Sequence, residues 1–460
     1  MKEFLYKRMA AAVTILLLIG CDSFVEVDMP TSQLTSQGVF QSTATANAAM
    51  AYVYAGLRDN GIVTGSPTGI SSLMGGYADE MDYYGLAGTS LDFFFNNSLL
   101  ATEPQVSTLW SVSYNQIYAA NSVIEGVGAA SPIPQADKDR LKGEALFVRA
   151  WLHFYLANLY GGIPYITTTD YAVNSAVSRL SVEQVYAQVR DDLEQSLALL
   201  PETAAGFGRT KPDKWAAQAF LARVYLYSGQ WAEASNAASA VLNNTALFGL
   251  NPNLNDVFSV SSNETIWKLA PISGTANTLE AATFIFLAGP PPNMALTTEL
   301  MNSFEPNDGR EAAWTKAITN GSEIWYHAFK YKQQGISSFS MENSVMMRIG
   351  EIYLIRAEAR ARQGELTGAK EDLDAVRLRA GLVATTVVGQ QAILDAVLQE
   401  RRVELFTEMG HRFFDLKRFG IADAVLGAVK PNWDATDVLL PIPETELLRN
   451  PNLGSQNPGY

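Results

Sequence analysis

The stretch AAQAFLARVYLYSGQWAEASNAASAVL, residues 216–242, predicts two helices joined by a tight turn at Gly229. A second stretch, EIYLIRAEARARQGELTGAKEDLDAVR at 351–377, has the same layout with its turn at Gly364. At an offset of 135 residues the turn glycines align, and so do several small side chains that let paired helices approach closely. The aligned pairs are Ala222 and Ala357, Gly229 and Gly364, Ala234 and Ala369, and Val241 and Val376.

This layout is similar to the tetratricopeptide design, although the two copies lie far apart in the sequence. The alternative is that any two amphipathic helix pairs align equally well. Other helices are predicted around them. Apolar residues at steps of three and four predict a long helix with one buried stripe over 137–160, ended by Gly161 and Gly162. Ser181 and Gln184 fit a capping box that starts a helix over 181–200.

Two further helices are predicted near 44–59 and over 104–125, whereas the Gly-, Ser- and Pro-rich residues 60–76 predict a loop. Residues 250–345 are rich in Asn, Ser, Thr, Gly and Pro, and contain strand-like runs at 264–269 and 323–331. Irregular loops on a rigid scaffold commonly carry binding surfaces. Residues 431–460 are also rich in Pro and Asn and predict mostly loop.

Composition excludes several classes of protein. The chain has 460 residues, a formal net charge of −14 and one cysteine. This acidic balance disfavours nucleic acid as a partner and electrostatic attachment to anionic lipid. One cysteine cannot form an intramolecular disulfide, so stability must come from a core, which 48% hydrophobic residues can supply.

The N-terminus has the layout of a secretory signal. A basic leader precedes an apolar run too short to span a bilayer, and the sole cysteine, Cys21, follows it directly. We therefore predict a signal peptide at 1–20, a polar tether over 21–40 and a single domain over 41–460. Within that domain, helical scaffold segments at 137–245 and 345–420 enclose the loop-rich insertion 250–345.

No catalytic or metal motif stands out. The sequence lacks HExxH, paired cysteines, a P-loop, a dinucleotide fingerprint and a nucleophile elbow. We expect no cofactor, no bound metal and no catalytic residue. His153 is predicted to be a core residue, and Asn307-Asp308-Gly309-Arg310 a structural turn. The dense charges of 399–418 predict ion pairs that support a helix interrupted at Gly410.

One acidic cluster has two interpretations. Asp79, Glu80 and Asp82 precede Tyr83 and Tyr84. The first interpretation is a solvated acidic turn. The second is a binding lip, in which tyrosine rings stack on apolar sugar faces while carboxylates and amides bind hydroxyls. The nearby run of three phenylalanines and two asparagines, 93–97, offers the same combination, although a Phe run is more often core.

Two resemblances sharpen the functional prediction. Leu18-Ile19-Gly20-Cys21 resembles a bacterial lipobox, whose cysteine thiol takes the lipid; this implies a lipid-anchored protein. The rest of the chain resembles the SusD/RagB family of nutrient-binding outer-membrane lipoproteins. The matching stretches are EALFVRAWLHFYLANLYGGIPY (144–165), TKPDKWAAQAFLARVYLY (210–227), RAEA (356–359), DLDAVRLRAGL (372–382), ERRVELFTEMGHRFFDLKR (400–418) and LLPIPETELLRNPNLGSQNPGY (439–460).

The family resemblance implies a mainly α fold, with tetratricopeptide-like helix pairs as the scaffold and a loop-rich, minor-strand region on one side. It implies binding of oligosaccharides or peptides without cleavage, and a SusC-like TonB-dependent transporter of the outer membrane as partner, at the cell exterior. Asp22 directly follows Cys21 and leaves undecided whether the protein faces the periplasm or the cell exterior. Acidic residues beside the lipidated cysteine have different sorting effects in different bacterial lineages.

The family layout places the ligand face on loops 77–97, with 271–293 adjoining. The candidate ligand residues are Asp79, Asp82, Tyr83, Tyr84 and Asn96, with Phe286 ranked after them. Two alternatives remain: a helical interaction scaffold of the cell envelope, or a glycoside hydrolase. The hydrolase lacks a recognisable catalytic pair of carboxylates.

Overall fold

The computed structural model describes residues 36–203, 206 and 208–460. The predicted signal segment, Cys21 and most of the predicted tether lie outside the described residues. The fold is mainly α with small sheets, as the sequence predicted. In chain order the helices up to residue 242 are α1 (Ser36–Val39), α2 (Thr43–Asp59), α3 (Ile70–Tyr77), α4 (Ser90–Phe95), α5 (Pro104–Ala129), α6 (Gln135–Tyr160), α7 (Tyr171–Asn174), α8 (Val182–Leu199), α9 (Lys214–Tyr227) and α10 (Trp231–Leu242).

The later helices and the strands complete the architecture. The helices are α11 (Leu279–Phe284), α12 (Thr298–Met301), α13 (Gly309–Trp314), α14 (Ile349–Arg362), α15 (Leu366–Arg379), α16 (Gln390–Leu405), α17 (His411–Arg418), α18 (Ala422–Val429) and α19 (Glu444–Arg449). The strands are β1 (Met81–Tyr83), β2 (Thr265–Leu269), β3 (Met294–Leu296), β4 (Thr315–Thr319), β5 (Ile324–Ala328) and β6 (Ser344–Arg348). One antiparallel sheet has the order β1-β3-β5-β4, and β2 pairs with β6.

The long helix α6 lies at the centre of the core. The sequence predicted one buried stripe, but every residue from 143 to 160 is buried. The reason is that α5 and α8 pack along α6, while the Trp267 side chain of β2 covers Trp151 at a centroid distance of 4.9 Å. His153 is in this core, as predicted. Its Nδ1 donates to the Arg149 carbonyl at 2.9 Å, its Nε2 accepts from the Ile166 amide, and burial lowers its pKa to about 3.

Both predicted helix pairs have the expected helix-turn-helix layout. Gly229 between α9 and α10 has φ +70°, and Gly364 between α14 and α15 has φ +82°. Helices α10 and α14 pack together, so two pairs far apart in sequence form one scaffold. The capping box of Ser181 and Gln184 at the start of α8 is also confirmed.

The loop prediction for 60–76 was wrong in part, because α3 (Ile70–Tyr77) begins inside this range. All eight residues of α3 are buried, so tertiary packing stabilises a helix that its glycines and serines do not favour. Residues 431–460, predicted as mostly loop, also contain the short helix α19. The strand-like runs 264–269 and 323–331 contain β2 and β5 as predicted.

The ion-pair prediction for 399–418 was also wrong in its geometry. One pair, Asp415 with Arg418, has helical spacing, whereas the others join separate elements. Glu404 accepts from Arg310 at 2.9 Å, from Arg348 at 2.5 Å and from Arg379 at 2.5 Å. These side chains are almost completely buried. Burial alone would raise the pKa of Glu404, but the three guanidinium charges hold it well below its usual value.

The predicted turn at Asn307–Arg310 is structural. Asp308 caps α13 by accepting from the Arg310 amide, and Asn307 has φ +71°. The Arg310 guanidinium is completely buried and also binds Glu400 at 2.6 Å. We call Arg310, Arg348, Arg379 and the two carboxylates of α16 that bind them, Glu400 and Glu404, the buried ionic cluster. It joins the loop-rich segment to the helical scaffold.

Candidate functional site

The four-stranded sheet brings the two predicted ligand loops together. In the β1–β3 pair, Asp82 lies opposite Ala295 and Tyr83 opposite Met294. One residue further on, the Tyr84 amide donates to the Asn293 carbonyl at 2.7 Å. The segments 77–97 and 271–293 therefore meet at this backbone contact, whereas the ligand face on them stays a prediction. The same sheet places β5 beside β3, which adds residues near 324 to this region.

Asp79 and Glu80 lie below the surface, so the interpretation as a solvated turn was wrong for both. The Asp79 carboxylate accepts from Arg412 Nε and Nη2, each at 2.7 Å, and from Arg402 at 2.9 Å. Burial would raise the pKa of Asp79, but the hydrogen bonds and charges of these arginines lower it. Its oxygens are already occupied, which makes Asp79 a supporting residue rather than an accessible ligand contact.

Glu80 is a different kind of buried carboxyl. One oxygen accepts from the Thr407 amide at 3.3 Å, and the residue is 2% exposed. Burial, and then the neighbouring charge of Asp79, raise its pKa to about 8. Glu80 is therefore mainly neutral at pH 7. It cannot act as an ionised sugar contact from this position.

Asp82 is half-buried and lies nearer the surface. Burial raises its pKa, and the positive charge of Lys430 opposes that shift. The Lys430 ammonium donates to the Gly76 carbonyl at 2.6 Å and lies 3.8 Å from the centre of the Phe95 ring. Asp82 is the one predicted carboxylate that combines partial exposure with a place on β1.

The two tyrosines have different environments. The Tyr83 hydroxyl donates to the Leu86 carbonyl at 2.8 Å and lies 2.7 Å from the Thr89 hydroxyl, so this half-buried ring braces the turn 85–89. Tyr84 is 42% exposed and presents its ring at the surface. The pKa of Tyr84 is raised, first by burial and then by the negative charges of Asp82 and Glu323. A hydrogen bond with Trp325 opposes part of this shift.

Asn96 is only partly exposed and Phe286 is buried, while their role in ligand binding stays a prediction. Asn96 is half-buried at the end of α4, and its amide donates to Asp92 at 2.8 Å. Phe286 is only 5% exposed and packs with Trp325 and Ala295 in a small apolar cluster. A Cβ added at Gly289 would lie 1.9 Å from the Trp325 ring, so a glycine is needed for this close approach. Phe286 thus supports the surface from beneath.

Sequence reasoning missed three exposed aliphatic side chains, which lie in the turn after Tyr84, directly after Phe286 and at the start of β5. They are Leu86 at 79%, Leu287 at 76% and Ile324 at 61% exposure. We call the exposed Tyr84 ring, together with Asp82 and Trp325 on the same side of the sheet, the sheet-edge face. The available signal was large apolar residues inside turn sequences, but an exposed leucine cannot be told from a core leucine by pattern alone.

The described residues contain no group of three or more His, Cys, Asp or Glu arranged to hold a metal ion. Near the sheet-edge face, Asp79 is ion-paired and Glu80 is buried. Glycoside hydrolysis needs two carboxyl groups roughly 5–10 Å apart across a sugar. Neither residue is open to a substrate, so they do not form that pair. The arrangement suits recognition through rings and hydroxyl contacts.

Comparison with known protein families agrees with this architecture. A family model described as SusD-like, starch-binding and associating with the outer membrane matches residues 71–226. A second model, described as the SusD family, matches residues 310–460. SusD-like protein P2 of Formosa agariphila is 28% identical, over 97% of this chain and 98% of its own length. The chain belongs to the SusD/RagB family.

Solved structures share the fold. A SusD superfamily protein from Bacteroides vulgatus superposes with a TM-score of 0.79 at 22% identity, covering 91% of this chain and 99% of its own. A laminarin-binding SusD-like protein gives a TM-score of 0.76 at 24% identity, with 91% and 99% covered. Surface glycan-binding protein A from Bacteroides fluxus gives 0.75 at 20% identity, again with 91% and 99% covered. Within the described residues, no helix is long and apolar enough to cross a bilayer.

Proposed function

We propose that this protein binds oligosaccharides at the cell surface through the sheet-edge face and holds them without cleavage. The observation that carries the proposal is the exposed Tyr84 ring at the edge strand β1, with Asp82 on the same side of the sheet and a hydrogen bond to Trp325. An aromatic ring with neighbouring polar groups such as Asp82 matches the alternating apolar faces and hydroxyls of a sugar. Relatives described as laminarin-binding and glycan-binding support this choice of ligand class.

We further propose that the captured ligand passes to a SusC-like TonB-dependent transporter of the outer membrane. Cys21 would carry the lipid that anchors the protein there, facing the cell exterior. A net charge of −14 gives the protein no electrostatic attraction to anionic lipid, so an acyl anchor would be required. Peptides are the second ligand class, because tyrosine rings also suit peptide binding.

The first test substitutes Tyr84 by Ala and measures binding to a panel of neutral polysaccharides by affinity electrophoresis and calorimetry. We expect at least about tenfold weaker binding, because stacking and apolar contact with one ring are lost together. Tyr52→Ala is the matched control, since Tyr52 is a 73% exposed tyrosine on α2. Equal affinities of the two variants would exclude the sheet-edge face.

A second test addresses the anchor. Cys21→Ser should leave the protein without its lipid, so it should move from the membrane fraction to the soluble fraction after cell lysis. Detergent phase partition and mass measurement of the mature N-terminus would check this outcome. A Cys21→Ser protein that remains membrane-bound and carries an acyl group would contradict the proposal.

A further inference from the structure

A second cleft lies away from the sheet-edge face. It has a volume of about 650 Å³ and is formed by α5, the segment 164–177 and the region around α19. This volume falls within the roughly 300–1,000 Å³ range of small-molecule sites. Its α5 wall carries side chains at helical spacing on one face. They are Trp110, Ser111, Tyr114, Asn115 and Tyr118.

Two tyrosines at this cleft are exposed and leave their rings available. Tyr118 is 52% exposed on α5, and Tyr171 is 83% exposed at the start of α7. Trp110, which is 3% exposed, forms part of the buried floor. Trp110 and the two solvent-facing tyrosine rings line the same cleft and give it an apolar surface.

Hydrogen bonds fix the segment that forms the second wall. The Tyr114 hydroxyl donates to the Pro164 carbonyl at 2.8 Å, and the Asn121 amide donates to the Ile166 carbonyl at 3.1 Å. The Glu125 carboxylate accepts from both the amide and the hydroxyl of Thr169. On the far side, the Asn450 amide donates to the Val177 carbonyl at 2.8 Å. The cleft is thus preformed, which lowers the entropy cost of binding.

The charges of the cleft select the chemistry of the ligand. Its lining contains two charged residues, Glu446 and Arg449, which pair with each other at 3.1 Å. The remaining polar groups are amides and hydroxyls, among them Asn115, Asn174 and Ser111. Because Glu446 and Arg449 neutralise each other, the lining has no excess charge that would favour a phosphate, a carboxylate or an ammonium. Rings, amides and hydroxyls together fit a neutral sugar.

The position of the cleft relates it to the sheet-edge face. The Ser90 hydroxyl of α4 donates at 2.5 Å to Glu103, the residue directly before α5. Helix α5 therefore starts beside α4, which follows the turn after Tyr84. Tyr118 lies 14 residues after the first residue of α5, which is about 20 Å along the helix axis at 1.5 Å per residue. We therefore expect a long glycan to contact both sites and a trisaccharide to contact one of them.

We infer that the cleft lined by Tyr118 and Tyr171 is a second subsite for a neutral glycan, which lets one protein hold a polysaccharide at two points. This inference rests on the proposed function of the sheet-edge face. Two linked contacts raise the affinity for a polymer far above that for a fragment, because the second contact forms at high effective concentration.

The test uses the double variant Tyr118→Ala/Tyr171→Ala in the full chain. Its probes are laminarin, soluble starch, xylan and galactomannan, each beside the trisaccharide of the same sugar. No hydrogen bond of either tyrosine side chain supports the fold within the described part of the chain, so the variant should fold normally. We expect polymer affinity to fall at least about tenfold. Trisaccharide affinity at the sheet-edge face should change less than about twofold. Tyr52→Ala is again the control.

Each outcome decides a separate point. If the wild-type protein binds no neutral glycan of the panel, the proposed function fails and this inference fails with it. If Tyr84→Ala weakens binding while the double variant binds polymers as tightly as the Tyr52→Ala control does, the second subsite alone is overturned. If the double variant keeps its polymer affinity but no longer co-purifies with a membrane transporter, the cleft is a protein contact and the inference is again overturned.

Discussion

Asp79 shows how single residues beneath the sheet-edge face hold it in place. Its carboxylate is shared by Arg402 and Arg412, which lie more than 320 residues further along the chain. The side chain is 6% exposed, so its charge is stabilised by these partners and hardly by water. Loss of the carboxylate would leave two guanidinium groups short of a counter-charge.

We therefore expect Asp79→Asn to lower the free energy of unfolding by about 3–5 kcal/mol, the usual cost of removing one partner of a buried pair. Urea unfolding followed by circular dichroism measures the change. Asp82→Asn is the matched control, since Asp82 is partly exposed on β1. It should cost less than about 1 kcal/mol. Similar losses in both variants would show that the arginine pairs do not stabilise the fold.

Glu80 gives a prediction about pH. Its pKa is about 8 in the folded protein, against 4.5 for a glutamate in the unfolded chain. Between these values the folded state binds the proton that the unfolded state has lost, so stability falls as pH rises through this window. Glu80→Gln removes this dependence. Its free energy of unfolding, relative to the wild type, should rise steadily from pH 5 to pH 8.

The control for Glu80 is Glu371→Gln, a substitution of an exposed glutamate on α15. Its difference from the wild type should stay constant over the same pH range. A constant difference for Glu80→Gln as well would mean that the Glu80 side chain ionises normally in the folded protein.

A ligand-binding residue is predictable from the sequence only where its side chain has suitable chemistry and is also exposed in the fold. Tyr84 is a candidate because of its ring, and it is exposed. Asp79 is a candidate because of its charge, but its distant arginine partners place it below the surface. Phe286 is a candidate because of its ring, and packing against Trp325 covers it. Burial depends on which segments meet in three dimensions, and spacing along the chain does not report that.

At the scale of elements, the turn glycines of the helix pairs fix the pairing geometry. Gly364 has φ +82°, and a Cβ added there would have no atom within 4 Å, so a substitution meets backbone strain but no clash. We expect Gly364→Ala to destabilise the protein by about 1–2 kcal/mol, because a left-handed conformation is costly for alanine. Thermal unfolding checks the prediction.

Gly128 on α5 provides the comparison. It is equally free of close contacts but has no positive φ. Gly128→Ala should be neutral or stabilising by up to about 1 kcal/mol, because alanine favours the helix. If both alanine variants shift the melting temperature in the same direction, strain at Gly364 is not the cause.

Elements with strong local signals were predictable, and elements stabilised by distant contacts were not. The alanine-rich pairs and the capped helix α8 follow from periodicity and capping residues. Helix α3 has glycines at 75 and 76 and owes its stability to complete burial. The charges of 399–418 have helical spacing, yet most of them bind partners on other elements.

For the whole molecule, the buried ionic cluster connects the loop-rich segment with the helical scaffold. Glu404 is its shared acceptor, with Arg310, Arg348 and Arg379 around it. Because the pKa of Glu404 is held well below 4.5, its contribution is present above that value and is lost as pH falls through the folded pKa. Lowering the pH should therefore destabilise the loop-rich segment and the helical scaffold together.

We expect Glu404→Gln to cost at least about 3 kcal/mol at pH 7, because three buried guanidinium groups lose a carboxylate. The loss relative to wild type should shrink as acid protonates Glu404 in the wild-type protein. Calorimetry at several pH values measures both effects. Glu311→Gln, an exposed substitution on α13, should have little effect. A Glu404→Gln protein as stable as this control would show that the cluster is not needed for stability.

The overall plan of the fold was predictable because helix periodicity and family resemblance extend over most of the chain. The adjacency of loops 77–97 and 271–293 came from the family layout, and the β1–β3 pairing supplies its physical basis. The second cleft was not predictable, since its walls come from α5, the segment 164–177 and α19. No local pattern indicates that three such segments meet.

The contact between Asp79 and Arg412 also affects the rate of folding. The two residues are 333 positions apart, and Tyr77 reaches even further, to the carbonyl of Asp437. Contacts of such large sequence separation slow folding, because a long loop must close before they form. A growing chain cannot complete this part of the core until residues beyond 400 have been made. Late closure keeps the chain unfolded for longer, which would suit the export that the proposed location at the cell surface requires.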